Sequence, residues 1–187
     1  MDESDTGGEV DPGGNAGSVN TAGAVAIRPA RRADITALVA ALGQEMYFAD
    51  RIGRMRHNLG ELLIAWSGDA PVGDVYLWCE PVEEIEVAEA FPGVPMLNHL
   101  EVVPAWQGRG IGTRLVRAAE DAARRRGYDR IVLGVGLDNP EAKRLYQRLG
   151  YVDWGKGPVV ARWTEPDGAG GIREASLTCD TMVASLR

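Results

Sequence analysis

The sequence predicts an α/β fold built on a mixed sheet, and three observations carry that expectation. Short apolar, β-branched runs alternate with stretches of helical periodicity along most of the chain. One segment, His99-Leu100-Glu101-Val102-Val103-Pro104-Ala105-Trp106-Gln107-Gly108-Arg109-Gly110-Ile111-Gly112-Thr113, passes from strand through a short turn into a glycine-punctuated helix start. With 187 residues the chain is long enough for one domain with a full core.

The elements follow in order. Residues 1–23 are rich in Gly, Asp and Asn and almost free of large apolar side chains. They cannot offset the entropy of ordering and are expected to form a disordered tail before a single domain over 24–187. Residues 25–27 read as a short strand. Asp34 is placed to cap a helix in which Ile35, Leu38, Val39 and Leu42 recur at helical spacing. A second helical stretch covers about 47–59, interrupted by Gly53. Residues 61–66 and 72–78 flank Ser67-Gly68-Asp69-Ala70-Pro71 as a hairpin. Residues 81–95 read as a long connection, and strand resumes over 96–103.

The helix expected over 108–126 aligns Ile111, Leu115, Ala118, Ala119 and Ala122, and Gly127 follows it in the C′ position. Residues 130–137 read as a buried strand. Asn139 is a natural N-cap with Pro140 at the first helical position, and Gly150 stops that helix after Leu149. Residues 151–154 and, beyond a Gly-rich loop at 167–171, about 177–184 complete the sheet.

The glycines carry the first chemical signal. Gly108, Gly110 and Gly112 strip side chains where the first N–H groups of a helix lack partners. Bare donors at the positive end of a helix suit a phosphate or pyrophosphate. This is not a nucleotide P-loop, because Thr113 follows Gly112 with no Lys between and the first Lys is Lys143. The spacing G-x-G-x-G also fails the dinucleotide fingerprint.

Composition narrows the classes further. The net charge of −7 is uneven. Asp2, Glu3, Asp5, Glu9 and Asp11 sit in the tail, and Glu80, Glu83, Glu84, Glu86 and Glu89 sit in residues 80–91. Arg109, Arg114, Arg117, Arg124, Arg125 and Arg126 gather near the glycine turn, which suggests a basic surface around cofactor phosphates. Nucleic acid is not an expected partner, since no aromatic-studded basic stripe is present. No membrane span or secretory signal is expected. Cys79 and Cys179 are too few for a disulfide framework and read as reduced thiols of a cytoplasmic protein. No metal site is expected, with His57 and His99 isolated in sequence.

Gln107-Gly108-Arg109-Gly110-Ile111-Gly112, preceded by Leu100-x-Val102-x-Pro104, resembles the acyl-CoA signature of the GNAT N-acetyltransferase superfamily. Asn139-Pro140-Glu141-Ala142-Lys143-Arg144-Leu145-Tyr146-Gln147-Arg148-Leu149-Gly150-Tyr151 resembles its second signature, and Ile27-Arg28-Pro29-Ala30 followed by Asp34 resembles its entry. The resemblance covers residues 25 to about 187. It implies the GNAT acyl-CoA N-acyltransferase fold, a mostly antiparallel central sheet with helices on both faces, and acetyl-CoA as co-substrate.

Residue by residue, the resemblance implies that the backbone of Val102 and Val103 pairs with the pantetheine arm, a strand N–H near Val102 polarising the thioester carbonyl. Gln107, Gly108, Arg109, Gly110, Ile111, Gly112 and Thr113 are implied to hold the pyrophosphate. Asn139 is implied to contact the cofactor, and Tyr146 to protonate the leaving thiolate. Strand alternation puts His99, Glu101 and Val103 on one face, opposite Leu100 and Val102. Glu101 or His99 is therefore placed to take the amine proton, directly or through water. Members that acetylate protein N-termini carry a glutamate where this chain has Gly134, which weighs against that subclass.

The expected activity is direct acetyl transfer from acetyl-CoA to a primary amine. In this fold the acceptor region offers Tyr47, Phe48, Asp50, His57 and the glutamates of 80–89. Such acidic walls suit a small cationic metabolite or antibiotic. The alternatives are a peptide or protein acetyltransferase and a CoA-binding regulatory module without turnover. A homodimer is left open.

Overall fold

The computed structural model describes residues 24–166 and 171–187. The expected tail over 1–23 and all of the 167–171 loop except Gly171 lie outside them. Eight strands form one sheet: β1 (Val25–Pro29), β2 (Gly60–Ser67), β3 (Ala70–Trp78), β4 (Met96–Val102), β5 (Arg130–Gly136), β6 (Val152–Asp153), β7 (Val159–Pro166) and β8 (Ile172–Ser185). Among the described residues five α-helices accompany them: α1 (Ile35–Leu42), α2 (Glu45–Met55), α3 (Ile85–Ala90), α4 (Ile111–Arg125) and α5 (Pro140–Arg148).

The strand order is β1-β2-β3-β4-β5-β8-β6, with β7 paired to the outer half of β8. Every pairing is antiparallel except β4 with β5. That parallel joint is short. Met96 faces Val132 and Leu97 faces Leu133, after which β4 and β5 part although both run on. The sheet therefore opens into a wedge at its centre, with the C-terminal ends of two parallel strands lining it.

Side-chain alternation builds three layers. Leu63, Val75, Leu77, Leu97, Ile131 and Leu133 pack on one face against Ile111, Leu115 and Ala119 of α4 and Tyr146 of α5. On the other face Leu62, Ile64, Trp66 and Tyr76 meet Leu38 of α1 and Phe48 and Ile52 of α2. Val87 of α3 covers Val132 and Val159 on that same side. The α/β fold with helices on both faces is thus present.

Four local expectations are corrected. Asp34 does not cap α1. It closes a 3₁₀ turn over Arg32–Asp34, accepting the Arg31 N–H at 2.7 Å and both guanidinium nitrogens of Arg28 at 2.7 and 2.9 Å. Gly53 does not break α2, because Phe48 and Ile52 anchor the helix on the sheet. The connection over 81–95 contains α3, held by Val87 among four glutamates. β7 is an added strand, and β8 begins at Ile172, since the two pair with each other beyond the reach of β5.

Candidate active site

The wedge between β4 and β5 holds a cleft of about 1190 Å³. Asn98, His99 and Leu100 line it from β4, Gly134 and Gly136 from β5, and Asn139 and Tyr146 from the α5 segment. The ribbon of β7 and β8 closes one wall with Ala161, Trp163 and Leu177.

A bulge in β4 sets the geometry. Asp74 and Tyr76 of β3 face Glu101 and Asn98, so one residue of β3 opposes two of β4. His99 takes a left-handed backbone, φ 50°, which costs a residue with a Cβ about 1–2 kcal/mol. The extra residue lets Leu97, Leu100 and Val102 all enter the core under α4, and it brings His99 and Glu101 together on the opposite side. The expected alternation holds from His99 to Val102 and breaks just before it.

Backbone donors at the end of β4 are separated by use. Val103 gives its N–H to the Val72 carbonyl at 3.0 Å, and its own carbonyl accepts from Trp106 N–H at 2.8 Å. Successive N–H groups of an antiparallel strand point to opposite sides. The Val102 N–H therefore faces the wedge, while the groups of Val103 are engaged. Gln107 is also turned inward, its amide nitrogen donating to the Val102 carbonyl at 3.0 Å.

The turn that follows presents a row of free donors. Gly108 and Gly110 have φ of 71° and 75°, a left-handed backbone that favours glycine, with Gly110 as the N-cap of α4. Among the described residues no acceptor binds the N–H groups of Gly108 through Thr113. Gly112 has a different reason, since a Cβ there would touch Leu145 and Leu100 at 3.6 and 3.9 Å. Such a cradle fits a pyrophosphate.

Arg109 lies over the Trp106 ring at 4.8 Å and makes no ion pair among the described residues. The wider basic surface expected here is corrected. Arg114 bonds the Val25 carbonyl, Arg117 pairs with Glu120, and Arg124 bonds Asp121 and the Leu186 carbonyl. Arg125 and Arg126 pair with Glu61. These five are engaged with acceptors of the chain itself.

Asn139 caps α5 by accepting the Ala142 N–H at 3.0 Å, so its amide NH₂ remains for a ligand in the cleft. Tyr146, two turns on, is 6 % exposed and its hydroxyl has no hydrogen-bond partner among the described residues. Burial pushes that phenol up to about 12.

The proton-handling side is a cluster. His99 Nε2 lies 3.3 Å from Glu101 Oε2 and 3.9 Å from Asp74 Oδ2, aligned for a hydrogen bond with neither. All three groups offer an atom within 4.8 Å of the others, so His99 is not isolated as its sequence position suggested. The Tyr47 ring lies against the imidazole with centroids 4.1 Å apart and planes tilted by 40°, and Gln44 donates to Glu101 at 2.9 Å. Burial holds His99 below the usual imidazole range despite the neighbouring Glu101 carboxylate, which acts to raise it.

Of the expected acceptor residues, Tyr47, Asp50, Glu83 and Glu84 line the cleft. Phe48 is in the core, and His57 is exposed away from it. Glu80 pairs with Arg54, and Glu86 and Glu89 border a separate shallow depression. Sequence reasoning missed Asp74, Arg51 and Trp78. The signal for Asp74 was its carboxylate inside the apolar run Val72-Gly73-Asp74-Val75-Tyr76-Leu77.

Comparison with known proteins decides the family. Residues 28–151 match the model of the acetyltransferase (GNAT) family. The chain belongs to the GNAT family. It is 38% identical over 81 residues to an uncharacterised N-acetyltransferase of Methanocaldococcus jannaschii, covering 43% of this chain and 34% of that protein. It is 35% identical over 72 residues to the streptothricin acetyltransferase of Streptomyces lavendulae, covering 38% of each. These matches span under two-fifths of the curated relatives. Among solved structures it resembles yncA of Salmonella typhimurium, a putative acetyltransferase with its cofactor acetyl-CoA. The TM-score is 0.60 at 21% identity, over 87% of this chain and 94% of that one.

Proposed function

We propose that this GNAT enzyme moves the acetyl group of acetyl-CoA directly to the primary amine of a small cationic metabolite or antibiotic. The observation that carries the reading is the acidic cleft. Glu45, Glu83 and Glu84 line the same opening as the imidazole of His99, where Asp50 is already paired with Arg51 and Arg54. Carboxylates around a cleft mouth raise the local concentration of cations and orient them by charge.

Acetyl-CoA supplies an activated acyl group as a thioester. The free donors of Gly108 through Thr113 hold its pyrophosphate, with Arg109 adding charge and the Asn139 amide a further contact. The N–H of Val102 is aimed where oxygen charge develops on the reacting carbonyl. His99 takes the amine proton. It is neutral at physiological pH because its environment lowers its proton affinity, and with its own proton on Nε2 beside the carboxylates, Nδ1 is the accepting nitrogen. Glu101, held by Gln44, backs the imidazole. Tyr146 gives its proton to the departing sulfur.

The test is the acceptor preference, measured as kcat/KM over amines of similar size that carry extra positive, zero or negative charge. The Glu83→Gln/Glu84→Gln variant is expected to raise KM for cations, by about 2–5-fold per lost charge, and to leave neutral amines unchanged. Preference for peptides or neutral amines, with no response to the double variant, would overturn the reading.

A further inference from the structure

Two carboxylates are buried among the described residues, Asp74 and Glu120. Glu120 is matched by Arg117 at 2.7 Å and Arg124 at 3.8 Å. Asp74 has no such match. It is wholly buried, its Oδ2 accepts the Tyr47 hydroxyl at 3.1 Å, and its Oδ1 has no partner. Its nearest cationic candidate is the imidazole of His99, at 3.9 Å. An ionised carboxylate left bare in that setting carries a large desolvation penalty. A proton removes most of that penalty.

We infer that Asp74 is a positioning residue for His99, and that it holds the imidazole as a neutral carboxylic acid, with Tyr47 bridging the two. The inference rests on the reading of His99 as the base. Tyr47 donates to Asp74 through its hydroxyl and covers the imidazole with its ring, so one side chain ties β3 to the left-handed bulge of β4. A neutral Asp74 does not draw His99 into an imidazolium, and the base stays free to receive the amine proton. When Asp74 ionises, the new charge beside Nε2 raises the proton affinity of the imidazole and makes it a stronger base.

The surroundings bear on this balance from every side. From α2 come Tyr47 and Arg51, from β4 His99 and Glu101, and from β3 itself Tyr76, while α1 offers no titratable group. Burial is the largest influence and pushes Asp74 up to about 8. The Glu101 carboxylate adds to the rise, and the Tyr47 hydroxyl opposes it.

The test combines imidazole NMR with kinetics on the full chain. The sequence has two histidines, His57 and His99, so the imidazole resonances are assigned with one His57 variant. Wild-type His99 is expected to titrate below the ordinary histidine range and to sense a second step near pH 8. Asp74→Asn, which mimics the neutral acid, should erase the second step and keep neutral-pH kcat/KM within about threefold. The ratio of variant to wild-type rate, in which acceptor ionisation cancels, should fall through the same pH. Tyr47→Phe should move the step upward, because a bond that favours the ionised carboxylate is lost.

A single-step His99 titration in the wild type would overturn the proposal, and that result needs no variant to fold. So would a folded Asp74→Asn protein slowed about 10²–10⁴-fold at neutral pH, since that marks an ionised partner. Failure of all amines as acceptors would instead strike the proposed function, leaving the His99 titration to decide the coupling.

Discussion

Replacing Gly110 with Ala separates the two duties of the glycine turn, local folding and phosphate binding. Gly110 has φ 75° and ψ 7°, and nothing lies within 4 Å of where a Cβ would stand. The penalty is therefore conformational alone, about 1–2 kcal/mol for a left-handed alanine. For a chain of this size that is a fall in Tm of roughly 2–8 °C. If the loop relaxes to escape the strain, the donors that follow Gly110 swing away from the phosphate position. The same free energy then appears as weaker CoA binding, about 5–30-fold in Kd.

Gly68 is the matched control. It also has a left-handed backbone, φ 59°, with open space around its Cβ position, but it lies in the β2–β3 turn. Calorimetric titration with CoA and thermal unfolding should show Gly68→Ala losing stability alone. Gly110→Ala should lose stability, affinity or both, to a combined total near the conformational penalty. Wild-type Tm and wild-type affinity in Gly110→Ala would refute the reasoning, as would equal loss of CoA binding in Gly68→Ala.

Three further outcomes are expected. Tyr146→Phe should lower kcat by about 10²–10⁴-fold while leaving CoA affinity and Tm unchanged, because the hydroxyl supports no bond in the fold; steady-state kinetics and thermal unfolding check it. Gly60→Ala should fail to fold or lose about 1–3 kcal/mol or more, since its Cβ would overlap the Tyr76 hydroxyl and the Leu77 carbonyl; soluble yield and denaturant unfolding report it. Asp34→Asn should lower Tm by about 2–4 °C at neutral pH, because Arg28 holds that carboxylate below its ordinary range. Stabilisation from such a depressed group is present above the unfolded carboxylate value and lost as pH falls through the folded one. The two proteins should therefore converge in acid, as unfolding across pH will show.

Local signals were the legible ones. The Asn139 cap, Pro140 at the first turn, Gly127 and Gly150 as stops, and the Gly108–Gly110 turn each act within a few residues, and each stands where the sequence placed it. The identity of α3 rested on one buried face, Val87 against Val132 and Val159, which comes from strands far along the chain. β7 depends on pairing with β8 across residues 167–170, a register that neither strand specifies alone. Several arginines in and just after α4 were misread for a related reason: the Glu61, Asn58, Val25 and Leu186 groups that engage Arg114, Arg124, Arg125 and Arg126 lie remote in sequence, although Arg117 and Arg124 also pair with Glu120 and Asp121 nearby.

In the site, the strand motif around Val102 pointed to the strand end that borders the wedge, but the bulge at His99 was invisible. It is produced by a mismatch of register with β3, and the same mismatch brings Asp74 against the imidazole. Alternation within a single strand cannot report on a neighbour's register. Glu101 was expected to act at the cleft. The imidazole lines the cleft, with Glu101 beside it under Gln44.

The most direct measurement is amine-dependent release of CoA from acetyl-CoA, with mass analysis of the acceptor, over aminoglycosides, polyamines, amino acids and short peptides. Turnover with a cationic small amine, leaving it one acetyl group heavier and depending on Tyr146, is the predicted result. Turnover confined to peptides, or CoA binding without transfer to any amine, would contradict it.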